Sequence, residues 1–181
     1  MKRMNAQQQN QSLFPALTTQ RLLLRKLEIN DAPEIFSLRS DSRVNEYLDR
    51  PETTSLTEAK AFIEMITAGV DQNKNFYWAI SLKADHKLIG TICLWNIDIE
   101  NATIEVGYEL LPAHQGKGLM HEALLKVIDY VFKTLAFKTI VAYTNAANKK
   151  SIKLLERNGF IANGIKEAGG EMIYALKSPS L

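Results

Sequence analysis

The sequence predicts a mixed α/β protein built on one sheet, and three observations carry that expectation. Three apolar runs, 76–83, 87–97 and 102–111, follow one another with strand character, separated by short polar segments such as Lys83-Ala84-Asp85-His86. Two longer stretches, 56–71 and 117–134, repeat their apolar residues at helical spacing. From residue 102 onward, strand-like and helix-like segments alternate and close on a pair of short strands. The predicted order is β-α-α-β-β-β-α-β-α-β-β.

Residues 1–12 are polar, rich in Gln and Asn and without periodicity, so a mobile tail is expected ahead of a single domain over 13–181. Leu22, Leu24 and Leu27 mark a first strand at about 20–28. Asp31 with Glu34, and Pro33 in the first turn, predict a helix capped by Asp31 over 32–39. Val44 to Pro51 reads as a loop carrying Tyr47, and Ser55-x-x-Glu58 is a capping-box pattern opening the next helix. In that helix Leu56, Ala59, Ile63, Ile66 and Val70 form the apolar stripe. In the 102–111 strand the period of two puts Ile104, Val106, Tyr108 and Leu110 on one face, and Glu105, Gly107 and Glu109 on the other. Leu124, Val127, Ile128, Val131 and Leu135 supply the buried side of the 117–134 helix. Lys138–Thr144 is a further strand, and Asn145 or Asn148 caps a helix that ends at Gly159. Phe160–Lys166 and Glu171–Lys177 form a hairpin turning at Gly169-Gly170.

Composition narrows the function classes. The 181 residues, 46% hydrophobic and 23% charged, suit one globular core. A formal net charge of +2 gives no footprint for nucleic acid or a membrane surface. No apolar run reaches a membrane span, no signal-peptide core follows Met1, and the single Cys93 has no partner for an internal disulfide. A cytoplasmic location is therefore expected. Cys93 lies in the apolar run Ile92-Cys93-Leu94-Trp95 and reads as a buried small hydrophobe. His86, His114 and His121 lack metal-ligand spacing, so no metal is expected.

The most informative stretch is the loop Gln115-Gly116-Lys117-Gly118 between the 102–111 strand and the following helix. Glycines at a helix mouth let main-chain N–H groups point at a ligand, and the helix dipole favours an anion there. The Gly-Lys-Ser/Thr ending of the NTPase P-loop is missing. His121 stands where the third glycine of a dinucleotide fingerprint would fall. A strand-to-helix turn without a ligand is the alternative reading of these glycines.

The spacing Gln115-x-x-Gly118-x-Met120 resembles the Q/R-x-x-G-x-G/A loop of the GCN5-related N-acetyltransferases (GNAT). Three further blocks resemble the same superfamily in the right order. They are Thr18-Thr19-Gln20-Arg21-Leu22, Glu105-Val106-Gly107-Tyr108, and the segment from Asn148 through Ser151 and Leu155 to Gly159-Phe160. The first two are typical of the ribosomal-protein (Rim-type) branch. The resemblance covers about Leu17 to Leu176 and implies the GNAT fold, a central mostly antiparallel sheet flanked by helices.

It also implies an enzyme that moves an acetyl group from acetyl-CoA, its cosubstrate, to a primary amine, on a protein N-terminus or a small molecule. Main-chain groups of Gln115, Gly116, Lys117, Gly118, Leu119 and Met120 would hold the pyrophosphate, although Met120 departs from the usual Gly or Ala. Asn148 matches a pantetheine-contacting Asn, or is a plain helix cap. A backbone N–H near Leu110–Leu111 would meet the carbonyl oxygen. Glu105 is the first candidate for general base and Glu109 the second, unless either carboxylate pairs with an Arg or Lys or reaches solvent. Leu155 stands where many members carry a proton-donating Tyr, so Ser151 becomes the candidate donor to the leaving thiolate, with Tyr143 behind it. A monomer or homodimer is expected, with neither nucleic acid nor membrane as partner. The competing reading is a catalytically weak acyl-CoA-binding regulator on the same fold.

Overall fold

The computed structural model describes residues 14–165 and 171–179. The expected mobile tail and the Gly169-Gly170 turn lie outside the described residues. Within them the chain forms β1 (Leu17–Thr18), β2 (Leu22–Lys26), α1 (Ala32–Ser40), α2 (Ser42–Asn45), α3 (Leu56–Asp71), β3 (Phe76–Leu82), β4 (Leu88–Asp98) and β5 (Thr103–Leu110). It continues through α4 (Leu119–Lys133), β6 (Thr139–Asn145), α5 (Lys149–Arg157), β7 (Ile161–Ile165) and β8 (Glu171–Lys177). The strands make one sheet in the order β1-β2-β3-β4-β5-β6-β8-β7. Every neighbouring pair is antiparallel except β5 and β6. The predicted fold class is the one observed, with the one-turn α2 and the two-residue β1 as additions.

Both faces of the sheet are covered, which is why β3, Phe-Tyr-Trp-Ala-Ile-Ser-Leu, reads as a nearly unbroken apolar run. On one face Trp78, Ile80, Ile92, Leu94, Ile104 and Val106 pack against Leu124, Val127 and Val131 of α4 and Leu155 of α5. On the other, Tyr77, Ala79 and Leu88 pack against Ile35 of α1 and Ala59, Ile63 and Val70 of α3. Trp78 anchors the first layer: it stacks on Phe76 at 5.7 Å between centroids and donates its indole N–H to Pro15 O at 2.7 Å.

Three local expectations change. Asp31 does not cap α1 through its side chain, because Arg25 takes that carboxylate at 2.6 and 2.8 Å and the Glu28 N–H donates to it at 2.9 Å. At α3 the Ser55 hydroxyl accepts from Glu58 N as predicted, but the Glu58 carboxylate reaches back to Thr54 N rather than to Ser55. Leu56 sits in the first turn of α3 and is exposed, outside the stripe assigned to it. Among the described residues no helix is long and apolar enough to cross a membrane, and no cluster of three His, Cys, Asp or Glu could hold a metal.

Candidate active site

The strands β5 and β6 part company in the middle of the sheet. Their parallel pairing runs only over Thr103↔Thr139, Ile104↔Ile140 and Glu105↔Val141, although β5 continues to Leu110 and β6 to Asn145. Leu111 N donates to Ile89 O at 2.9 Å, which fixes the phase of the β4–β5 ladder. Counting back along that register, the main-chain groups of Glu109, Gly107 and Glu105 face β4, while those of Leu110, Tyr108 and Val106 face the gap. Of the two N–H groups expected near the carbonyl oxygen, Leu111's is therefore committed to β4, and Leu110's is the one on the open side.

The glycine loop closes one end of the gap. Gly116 and Gly118 have φ of +74° and +73°, left-handed values that a side chain adopts at a cost. A Cβ built at Gly116 would meet nothing within 4 Å, so the loop presents bare main chain to open space. The first N–H at the mouth of α4 to find a main-chain acceptor is Glu122's, on Gly118 O at 3.1 Å. The N–H groups of Leu119, Met120 and His121 precede it and point outward with the helix dipole. These are the residues that would hold a pyrophosphate, and the observed amide nest fits one.

The loop is braced on both sides by side chains. Gln115 Nε2 donates to Leu110 O at 2.9 Å, and Lys150 Nζ donates to Gln115 Oε1 at 3.3 Å, so Gln115 ties the end of β5 to α5. Behind the loop, Arg21 Nη1 donates to Lys117 O at 3.0 Å, while Arg21 Nε meets Glu122 Oε2 at 2.6 Å. The Thr19 hydroxyl and the Arg21 N–H also donate to Glu122. This explains the Thr19-Gln20-Arg21 segment, whose work is to hold the loop, a role sequence reasoning did not give it. We expect Gly118→Val, a β-branched residue at positive φ, to weaken acetyl-CoA binding about tenfold or more, from strain of roughly 1–2 kcal/mol. Gly118→Asn, which tolerates that conformation, should bind more nearly as the parent does. Calorimetric titration of the folded variants checks this, and equal affinities for the valine variant and the parent would remove the loop from the site.

The two carboxylates of β5 share the α1–α3 face of the sheet as predicted, but their surroundings differ. Glu109 lies 2.6 Å from Arg50 Nη2, with side-chain exposures of 10% and 18%, an ion pair outside hydrogen-bonding alignment. The Thr91 hydroxyl donates to its other oxygen at 3.3 Å. Glu105 is buried and accepts from Asn96 Nδ2 at 2.7 Å, with no cation paired to it among the described residues. Asn96 itself is held at φ +44° just past the exposed Trp95. Between the two carboxylates lies Cys93, whose thiol burial pushes up to about 12, which suits a packing role rather than a nucleophile.

On the opposite face Tyr108 and Ser151 meet across the gap, their hydroxyl oxygens 2.9 Å apart. Burial raises the Tyr108 phenol to about 12, against a smaller lowering effect of the Ser151 hydrogen bond, so it stays protonated at neutral pH. Asn148 caps α5, its Oδ1 accepting from Ser151 N at 3.1 Å, which leaves the amide nitrogen for another partner. Sequence reasoning placed Tyr108 on one strand face with Ile104, Val106 and Leu110 and missed its contact with Ser151. The available signal was a hydroxyl on a strand face that also receives α5.

Residues 21–161 match the family model described as Acetyltransferase (GNAT) domain. The chain belongs to the GNAT acetyltransferase family. Among its relatives is the uncharacterized N-acetyltransferase p20 of Bacillus licheniformis, 35% identical over 161 residues, 87% of this chain and 90% of that one. The spermidine N(1)-acetyltransferase of Vibrio cholerae is 27% identical, covering 79% and 80%. Among solved structures, RimL, a ribosomal-protein alpha-N-acetyltransferase in complex with coenzyme A, superposes with a TM-score of 0.80 at 20% identity over 90% of this chain and 98% of that one. As a GNAT N-acetyltransferase with Rim-type relatives, the chain carries its signature loop where the family model falls, inside 21–161.

Proposed function

We propose that this GNAT enzyme acetylates a primary amine of the α-amino kind, with acetyl-CoA bound along the parted edges of β5 and β6. The observation that carries the reading is the gap itself, flanked by the amide nest at one end and by different chemistry on its two faces. Acetyl-CoA supplies the acetyl group as a thioester, whose C–S bond breaks as the new N–C bond forms. An α-amine, with a reference pKa of about 7.7–8.0, needs only modest help to lose its proton, whereas a lysine at about 10.4 needs more. Glu105, buried and free of a cation among the described residues, takes that proton through a relay of waters, since five residues, about 16 Å at strand rise, separate it from Leu110. Glu109 is engaged by Arg50 and falls to second choice. The Leu110 N–H stabilises the carbonyl oxygen, and Leu111 lines the end of the strand beside it. Asn148 Nδ2 and the loop 115–120 position the cofactor arm.

Thiolate release falls to Ser151. The two hydroxyls are 2.9 Å apart and either can donate; in this reading the Tyr108 phenol donates to Ser151 Oγ, which leaves the serine O–H for the sulfur, while the buried Leu155 offers no proton. Ser151→Ala should slow single-turnover acetyl transfer about tenfold or more while acetyl-CoA affinity holds, as expected of general acid help at its lower end. An unchanged single-turnover rate would reduce Ser151 to a helix residue beside Tyr108. The function itself is tested by CoA release against N-terminal peptides, amino acids, polyamines and aminoglycosides. Amine-dependent release supports the enzyme. Tight acetyl-CoA binding without release by any amine would favour the regulator reading.

A further inference from the structure

One charge on the α1–α3 face has no ion-pair counterpart among the described residues. Arg39, in the last turn of α1, is half-buried with its Cζ 3.9 Å over the Phe62 ring, and its Nε donates to Thr53 Oγ1 at 3.2 Å. No carboxylate among the described residues pairs with it, and Nη1 and Nη2 hold no hydrogen bond there. The acids of the adjoining loop, Glu46, Asp49 and Glu52, are exposed and do not pair with it. Its neighbour Arg50 is occupied by Glu109 and by Asn45 Oδ1, the latter at 2.9 Å.

Two guanidinium groups therefore face one carboxylate. Burial lowers the Arg39 pKa from its ordinary value, the nearby Arg50 charge adds to this, and Glu109 and Tyr77 pull the other way. Such a cation is at its most stable with a second anion. Asn45 Nδ2 and Thr53 N both donate to the Arg39 main-chain oxygen, so the start and end of the loop 41–53 are pinned around this side chain. Its place at the C-terminal end of α1 suits the helix dipole, but that role leaves both terminal nitrogens without partners.

We infer that Arg39, beside the Arg50–Glu109 pair, forms an anion subsite for the acceptor, so the amine this enzyme acetylates belongs to a molecule that also carries a carboxylate. This rests on the acetyltransferase reading above and narrows it. Leu110, whose N–H meets the reacting carbonyl in that reading, adjoins Glu109 on β5, and Arg39 lies close enough to feel the Glu109 charge. An amine attacking there and an anion held by Arg39 therefore belong to neighbouring parts of one acceptor, as in a peptide with an acidic residue near its N-terminus. A polycation such as a polyamine is disfavoured by the same two charges.

The test compares hexapeptides that are identical but for Glu or Gln at position two, three or four, with free glutamate and spermidine as further arms. At the best position kcat/KM for the Glu peptide should exceed that for the Gln peptide about tenfold or more, the usual range for a charge-assisted hydrogen bond. Arg39→Met keeps the packing on Phe62 and should bring the two peptides to parity. Arg39→Lys should recover part of the preference. Peptide preference with inert glutamate places the carboxylate on a peptide, and the reverse places it on an amino acid. Equal rates at all three positions, a preference that survives Arg39→Met, or spermidine as the best acceptor would overturn the subsite while leaving the enzyme standing. Should no amine be turned over, the acetyltransferase reading fails, and calorimetry of the Glu and Gln peptides with CoA decides the subsite alone. Tighter Glu binding in the parent but not in Arg39→Met supports it, and equal binding rejects it.

Discussion

Glu105→Gln should lower turnover by about 10²–10⁴-fold, the usual worth of general-base catalysis, while the fold and acetyl-CoA affinity stay as they are. The substitution is nearly silent in structural terms. Asn96 Nδ2, 2.7 Å from Glu105 Oε2, can donate to the amide oxygen of glutamine in the same place. What disappears is, among the described residues, the one buried carboxylate on this face that no cation holds. Single-turnover rates with the best amine, set beside calorimetric affinities, separate chemistry from binding. Glu109→Gln should cost less in the chemical step, because Arg50 already engages that carboxylate. A small effect at Glu105 with a larger one at Glu109 would transfer the base to Glu109.

Arg50→Met is expected to be the most damaging single change to stability near the site, at about 3–5 kcal/mol. Both members of the Arg50–Glu109 pair are largely shielded from water. Removing the guanidinium leaves the Glu109 carboxylate with a Thr91 hydroxyl at 3.3 Å and the unbonded charge of Arg39 nearby. It also frees Asn45 Oδ1, which accepts from Arg50 Nε, and so loosens the loop 41–53. Glu109→Gln in the same background should return much of the loss, since no carboxylate is then left without its Arg50 partner. Urea unfolding of the parent, both single variants and the double variant measures this as a coupling. Additive effects would show that the two side chains do not depend on each other.

The long elements were legible because their periods are long. Past the exposed Leu56, the stripes of α3 and α4 repeat often enough that burial and pattern agree, and the alternation of β5 assigns its residues to the faces they pack on. The glycine loop was legible for a different reason, since two glycines between a strand and an amphipathic helix have few other uses. Partners far apart in sequence were not legible. Asp31 looks like a helix cap from its neighbours, yet Arg25 claims its carboxylate from the adjacent strand. Glu109 shows no sign in the sequence of pairing with Arg50, which sits in a stretch with no period at all. Tyr108 and Ser151 are 43 residues apart, and each looks ordinary until the sheet brings them together. Arg39 was invisible for the same reason, because an unmatched charge is defined by everything around it.

The parting of β5 from β6 gives this sheet an internal seam. Beyond Glu105, β5 has a strand neighbour on one side only, so main-chain groups of Val106 and Tyr108 and the Leu110 N–H form a border facing inward rather than at the rim of the molecule, while Leu110 O is held by Gln115. An exposed border of this kind at the rim would invite another chain to join the sheet. Sunk between β6 and α5, it admits only a guest thin and extended enough to lie where a strand would have been. On the proposed reading, selection of the donor molecule begins with the missing half of a ladder.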